Sequence, residues 1–140
     1  MNYLDTSVLT AYYCREAGSG HIQDMLLGIE ERAISPLVKV EFCCAVARKI
    51  RSGTLNRETA LRIFSEFQVD LAEPRFHVLA IQPTDYELAS EWIARLATPL
   101  RVLDALHLAV AFSGGLRLIT ADRELARAAK HFGVQLKLIS

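Results

Sequence analysis

The sequence contains little cysteine. Its three cysteines are Cys14, Cys43 and Cys44, an odd number, and the adjacent pair would point about 100° apart on a helix. This pattern predicts neither a disulfide framework nor a C-x-x-C metal or redox site. A reduced, cytoplasmic setting is therefore expected.

The sequence also has no excess of one charge and no long hydrophobic run. Sixteen basic residues balance sixteen acidic ones, so any binding of nucleic acid must come from a local patch and not from overall charge. The longest apolar stretch, VLDALHLAVAF, contains Asp104 and His107 and is shorter than the roughly 20 residues of a membrane helix. The first residues lack a basic segment and a small-residue cleavage site, so no signal peptide is expected.

The apolar content that is present is enough for one folded domain. The chain has 140 residues, of which 51% are hydrophobic, and its mean hydropathy is positive. These values exclude a disordered protein and allow a sizeable core. No internal repeat, linker or low-complexity segment divides the sequence, so we expect a single domain over residues 1–140.

Short apolar runs alternate with helical stretches, which is typical of a parallel sheet covered by helices. The runs that predict strands are NYL, RAIS, FHVLAI, LRLIT and VQLKLI. The sequence therefore predicts an α/β fold with a central parallel sheet.

Caps and apolar periodicity predict the helices between these strands. One helix follows the first strand directly, and another of about 17 residues begins at Ser35 and Pro36 and stops near Gly53. Thr84 and Glu87 predict a capping box at the start of a further helix. The remaining predicted helices cover about 56–71, 104–113 and 123–131.

Two aspartates lie at the predicted ends of strands. Asp5 ends the first strand within LDTS, and Asp122 follows the fourth within ITAD. Ligands of an open parallel sheet bind beyond the carboxyl ends of its strands, so these residues are candidates for a site. Each can instead cap the helix that follows it, although Thr6 and Ser7 can replace Asp5 in that role.

Asp104 and Glu41 allow the same two interpretations. Asp104 can act as a helix N-cap, with Leu103 and Leu108 as a hydrophobic staple, and that geometry is compatible with a site. Glu41 has no cation at i±3 or i±4 on its own helix, which argues against a local ion pair. A functional site is favoured for Glu41, with a partner on another helix as the alternative.

Grouped carboxylates repel one another, and a pair about 4 Å apart costs about 4 kcal/mol at an effective dielectric near 20. A group of four therefore needs a cation or shared protons, and its hard oxygen donors suit Mg²⁺ or Mn²⁺. Thr6, Ser7 and Thr120 flank the aspartates and can orient them or hold a metal-bound water. Such a site indicates hydrolysis of phosphate esters by a metal-activated water.

Four motifs in this order, NYLDTSVL, SPLVKVEF, LRVLDALHLAVA and LITADRELARAAKHFGV, resemble those of PIN-domain ribonucleases. More narrowly, they resemble the VapC-type toxins of bacterial and archaeal toxin–antitoxin pairs. The resemblance implies a three-layer α/β/α sandwich with strand order 3-2-1-4-5. It implies a Mg²⁺-dependent endoribonuclease that forms a homodimer and is silenced by a cognate VapB-like antitoxin. The catalytic, metal-binding residues that it implies are Asp5, Glu41, Asp104 and Asp122.

Basic residues near these acids are candidates for RNA contact. Arg101 and Arg123 flank two of the acids and can attract phosphate. Arg48 and Lys49 lie at a helix end, where cations also favour the helix dipole. His107, on an apolar helix, is interpreted as a packed, hydrogen-bonded side chain in preference to a metal ligand.

Two other functions stay open. The first is a phosphotransfer protein. A haloacid-dehalogenase-type phosphatase requires a second aspartate two residues after Asp5, but Ser7 is at that position. A receiver domain requires an acidic pair at the end of the first strand, where only Asp5 is present. A catalytically silent PIN-like module would bind a partner through the helices over about 36–71. For the toxin itself, part of the apolar surface of these helices is expected to form a groove for an antitoxin segment, of which a basic residue reaches the acids. The residues of this surface are Val40, Cys43, Val46, Ile50, Leu55, Ile63, Phe64 and Phe67.

Overall fold

The computed structural model describes residues 1–15, 20–73 and 75–139. Its strands form one parallel sheet of order β3-β2-β1-β4-β5, which confirms the predicted order. The strands are β1 (Asn2–Leu4), β2 (Arg32–Ile34), β3 (His77–Val78), β4 (Arg117–Thr120) and β5 (Leu136–Leu138). β3 is shorter than the predicted run FHVLAI because its only neighbour, β2, ends where the next helix begins.

The helices cover the two faces of this sheet. They are α1 (Thr6–Cys14), α2 (Gly20–Leu27), α3 (Pro36–Arg51), α4 (Arg57–Ala72), α5 (Pro83–Ala94), α6 (Val102–Ser113) and α7 (Arg123–His131). α1 packs against α2, α3 and α4, whereas α5 packs against α6 and α7 packs against β4 and β5. Right-handed crossovers place these two groups on opposite faces, which gives the predicted α/β/α sandwich.

α2 was not expected from the sequence. Its eight residues bury only Ile22 and Leu26, so its apolar stripe is two side chains long. A pattern this short carries little periodic signal.

The start of α5 differs from the prediction. Thr84 and Glu87 do not form its capping box. Gln82 is the N-cap, and the carboxylate of Asp85 at the third helical position accepts a hydrogen bond from the backbone N–H of Gln82 (2.9 Å). The helix begins at Pro83 because proline fits the first helical position, where its missing N–H costs nothing.

α6 also begins earlier than predicted, at Val102, with Arg101 as its N-cap. The backbone N–H of Ala105 closes the first turn on the carbonyl of Arg101 (2.9 Å). Asp104 therefore occupies the third helical position, so the predicted helix start is wrong and the alternative in which Asp104 is an N-cap, with Leu103 and Leu108 as its staple, is excluded. A carboxylate in the first turn still interacts favourably with the helix dipole.

An aromatic cluster fills the core between α1, α3 and α4. Tyr13, Phe42 and Phe67 contact one another, and Phe76 extends the cluster. Of the apolar residues predicted to line a groove on α3 and α4, the buried ones are Val46, Ile63 and Phe67, whereas the exposed ones are Val40, Cys43 and Ile50. In the described part of the chain, no helix combines the length and the apolar composition needed to cross a membrane.

Candidate active site

Asp5 and Asp122 both lie at the carboxyl edge of the sheet. Asp5 directly follows β1, Asp122 comes two residues after the end of β4, and the two strands are hydrogen-bonded neighbours. The chain leaves β1 toward β2 and leaves β4 toward β5, in opposite directions. The gap between these strand ends is thus the topological switch point, where open α/β sheets bind ligands.

Asp5 is the N-cap of α1 and is only 4% exposed. Its Oδ1 accepts hydrogen bonds from the hydroxyl of Ser7 (2.6 Å) and the backbone N–H of Val8 (3.3 Å), and its Oδ2 accepts one from the hydroxyl of Thr120 (2.7 Å). Burial raises the pKa of Asp5, while the bonds from Ser7 and Thr120 oppose that rise. Asp5 itself therefore caps the helix, and not Thr6 or Ser7.

The hydroxyls of Ser7 and Thr120 hold this aspartate from two directions. While donating to Asp5, the Ser7 hydroxyl accepts from the backbone N–H of Ala121 (3.0 Å), and the Thr120 hydroxyl accepts from that of Asp122 (3.0 Å). The start of α1 is thereby tied to the segment that follows β4. Asp5 cannot shift without breaking several hydrogen bonds.

Asp122 is the N-cap of α7. Its Oδ1 accepts hydrogen bonds from the backbone N–H groups of Glu124 (2.9 Å) and Leu125 (3.2 Å). The capping alternative is therefore real for Asp122. Capping uses Oδ1 of Asp122 and leaves Oδ2 without a hydrogen bond to any described residue.

Asp104 is half-buried, and its side chain makes no hydrogen bond or ion pair with another described residue. Burial raises the pKa of its carboxyl, and the negative charges of Asp122 and, more weakly, Glu41 raise it further. His107 and Arg101 act in the opposite direction. Asp104 is thus close enough to Asp122 and Glu41 to be repelled by both.

Glu41 has a hydrogen-bond partner on another helix, which was the alternative to a functional site. Its Oε1 accepts a hydrogen bond from the hydroxyl of Thr6 (3.0 Å) and is hydrogen-bonded to Nε2 of His107. Burial is the largest single effect and raises the pKa of Glu41, but the interactions with His107 and Thr6 together lower it below its usual value. The absence of a cation at i±3 or i±4 on α3 indicated that Glu41 has a partner elsewhere, but it did not identify His107.

The basic candidates fall into two groups. Arg101 lies close enough to Asp104 to affect its pKa, and Arg123 is the exposed first residue of α7, next to Asp122. Arg48 and Lys49 lie in the last turn of α3, whose first turn is at the carboxyl edge. With a rise of about 1.5 Å per residue, they are roughly 18 Å along the helix from that edge, so the structure does not bring them to the acids.

The donors at this edge suit a hard divalent cation, because they are carboxylates supported by hydroxyl groups. Asp104 lacks a partner of its own among the described residues, and a cation would remove its repulsion from Asp122. As they stand, no three His, Cys, Asp or Glu side chains within the described ranges are grouped so that they could hold a metal ion. A metal complex therefore requires these side chains to draw together.

Comparisons with known proteins agree with the fold. A family model described as the PIN domain matches residues 3–131, and no curated protein matches the sequence. FitAcB from Neisseria gonorrhoeae is 17% identical, with a TM-score of 0.74 over 97% of this chain and 96% of that one. A toxin–antitoxin complex from Klebsiella pneumoniae is 20% identical, with a TM-score of 0.61 over 90% and 91% of the two chains. Mycobacterium tuberculosis VapC20, described as a sarcin–ricin loop cleaving toxin, is 18% identical, with a TM-score of 0.66 over 91% and 95%.

Proposed function

Because this chain belongs to the PIN domain family, we propose that residues 1–140 form a single-domain, metal-dependent endoribonuclease. The observation that carries the proposal is Asp104, a half-buried carboxylate without a described partner, beside the like charges of Asp122 and Glu41. Such a group lowers stability unless a cation joins it. PIN domains are in general nucleases, which gives that cation a chemical purpose.

The proposed ion is Mg²⁺, with Mn²⁺ as a substitute. Asp5, Asp104 and Asp122 would hold the principal ion, and Glu41 would complete a second site or orient the attacking water. Carboxylate oxygens are suitable ligands for either metal. Asp104 can move toward the other ligands because no hydrogen bond to a described residue restrains its side chain.

When bound, the ion would supply Lewis-acid polarisation of the phosphate and a lower pKa for the attacking water. Ser7 and Thr120 keep Asp5 at the strand edge. The two donors on Oε1 of Glu41 leave Oε2 to accept a hydrogen bond from that water. Attack at phosphorus in line with the ribose 3′ oxygen forms one P–O bond and breaks another, leaving a 5′-phosphate and a 3′-hydroxyl.

We further propose that the chain is the VapC-like toxin of a type II toxin–antitoxin pair, acting in the cytoplasm as a homodimer. Two structural relatives support this role, since one is described as a toxin–antitoxin complex and another as a sarcin–ricin loop cleaving toxin. On this chain, Val40 (68% exposed) and Ile50 on α3 offer apolar surface to a VapB-like antitoxin. Arg101 and Arg123 lie beside the acids and would attract the RNA backbone.

The proposal is tested with the purified full chain and a pool of RNAs. After chelation the protein should be inactive, and Mg²⁺ or Mn²⁺ should restore cleavage. Asp104→Asn should remain inactive with metal, whereas Asp24→Asn, an exposed aspartate on α2, should cleave like the parent. Equal cleavage by Asp104→Asn would remove this residue from the proposed metal site, whereas a parent that neither cleaves RNA nor binds metal would favour the silent interaction module.

A further inference from the structure

A buried chain of hydrogen bonds leads from the end of β2 to Glu41. The hydroxyl of Tyr3 lies 2.8 Å from Oγ of Ser35 and 2.7 Å from Nδ1 of His107, and Nε2 of His107 is bonded to Oε1 of Glu41. Ser35, Tyr3 and His107 are almost completely buried. Polar groups in such surroundings are costly unless they are paired, so this chain constrains all its members.

The direction of the hydrogen bond between His107 and Glu41 follows from the acceptor. A carboxylate has no hydrogen to donate, so Oε1 of Glu41 accepts and Nε2 of His107 carries the hydrogen. The other ring nitrogen, Nδ1, is hydrogen-bonded to the hydroxyl of Tyr3, which is itself hydrogen-bonded to Oγ of Ser35. The ring is thereby held at both nitrogens.

Packing alone does not account for a histidine at this place in α6. Its neighbours from Ala105 to Ala111 are all buried, and an apolar side chain there would need no hydrogen-bond partners. The imidazole instead joins β1, which carries Tyr3, to α3, which carries Glu41. Two donors, His107 and Thr6, converge on Oε1, while Oε2 accepts no hydrogen bond from a described residue.

We propose that His107 is a positioning residue that acts through Glu41. Tyr3 and Ser35 fix the ring, and the ring with Thr6 holds Oε1 so that Oε2 is presented to the metal or the attacking water. This inference rests on the proposed nuclease function. It assigns to His107 a role in the rate of the chemical step and none in binding RNA.

The test compares two replacements of His107 in the full chain. His107→Leu removes both hydrogen bonds, whereas His107→Gln retains a side-chain N–H donor for Glu41. Loss of a residue that orients a metal-site ligand typically costs about 10–100-fold in activity. We expect His107→Leu to lower kcat by that factor with little change in KM, and His107→Gln to recover most of the loss. His77→Leu, at an exposed position on β3, is the matched control and should cleave like the parent.

A double-mutant cycle with Glu41→Gln separates positioning from general support of the fold. If His107 acts through Glu41, adding His107→Leu to Glu41→Gln should change kcat less than twofold. A folded His107→Leu protein with the parent's kcat would overturn the proposal, as would an equal loss in both backgrounds. If His107→Leu does not fold, Tyr3→Phe is used, since it keeps the ring and removes the hydroxyl.

A parent that cleaves no RNA would refute the nuclease function and leave the positioning contact measurable. The same four proteins are then compared by their denaturant midpoints. Shifts from His107→Leu and Glu41→Gln that are clearly non-additive would support the restraint of Glu41 by His107. Additive shifts would overturn it.

Discussion

The hydroxyl of Thr120 donates a hydrogen bond to the carboxylate of Asp5 over 2.7 Å and accepts one from the backbone N–H of Asp122. Thr120 ends β4, and Asp5 follows β1. The parallel register pairs Leu4 with Ile119, so the residues that follow them, Asp5 and Thr120, lie side by side at the edge of the sheet. The relative position of two proposed metal ligands therefore depends on one hydroxyl and on the sheet register.

Thr120→Val should destabilise the protein and reduce cleavage. The replacement keeps the shape of the side chain but removes the hydrogen-bond donor to Oδ2 of Asp5 and the acceptor for the backbone N–H of Asp122. We expect a loss of about 1–3 kcal/mol for each unsatisfied group at most, measured by urea unfolding. Thr84→Val, exposed in the first turn of α5, should change stability by less than about 0.5 kcal/mol. Equal midpoints for Thr120→Val and the parent would contradict the account.

Asp104→Asn should raise or preserve the melting temperature of the metal-free protein at neutral pH. Burial and the charge of Asp122 raise the pKa of Asp104 in the folded state. The stabilising contribution of its protonated form is complete below the unfolded-state pKa, and it is lost as pH rises through the folded-state value. In the presence of chelator, the melting temperature of the parent relative to the mutant should therefore fall as the pH rises through the acidic range. A mutant that melts at a lower temperature at neutral pH would show that the favourable interaction of the Asp104 charge with the helix dipole outweighs its repulsion by the neighbouring carboxylates.

Mg²⁺ should stabilise the parent more than Asp104→Asn. A ligand that binds only the folded state adds about 2.7 kcal/mol at roughly 100 times its Kd. The mutant lacks one proposed ligand, so its gain at the same concentration should be much smaller. Melting curves at constant ionic strength measure both gains. Equal gains would place the bound Mg²⁺ away from Asp104.

Arg101→Gln and Arg123→Gln should weaken RNA binding without altering the cleavage chemistry. Each cation that contacts phosphate releases counterions, so its loss should raise KM and flatten the dependence of affinity on salt. Arg57→Gln, at the exposed start of α4, serves as the control and should leave both quantities unchanged. Salt titrations of binding to a short RNA provide the measurement. Unchanged salt slopes for both variants would remove these residues from the RNA interface.

The sequence was sufficient for features that depend on local chemistry. Alternating apolar runs predicted the sheet, and Ser35 with Pro36 predicted the start of α3. Asp5 and Asp122 could be placed at one edge because strand ends of a parallel sheet share that edge. These inferences need only the order of elements and the residues that bound them.

Features that depend on tertiary context were not predictable in the same way. The start of α6 was misplaced because the apolar pair Val102 and Leu103 fits a helix or a preceding loop equally well. The contact between His107 and Glu41 joins helices far apart in the chain, and no local pattern identifies His107 as the partner of Glu41.

We propose that a metal-activated water cleaves RNA at the edge bearing Asp5 and Asp104. The most direct test is a single-turnover cleavage in oxygen-18-enriched water with Mg²⁺, followed by mass spectrometry of the product ends. The account predicts 5′-phosphates that carry one solvent oxygen, unmodified 3′-hydroxyls and no cleavage in excess chelator. Products ending in 2′,3′-cyclic phosphate, or cleavage that persists in excess chelator, would contradict it.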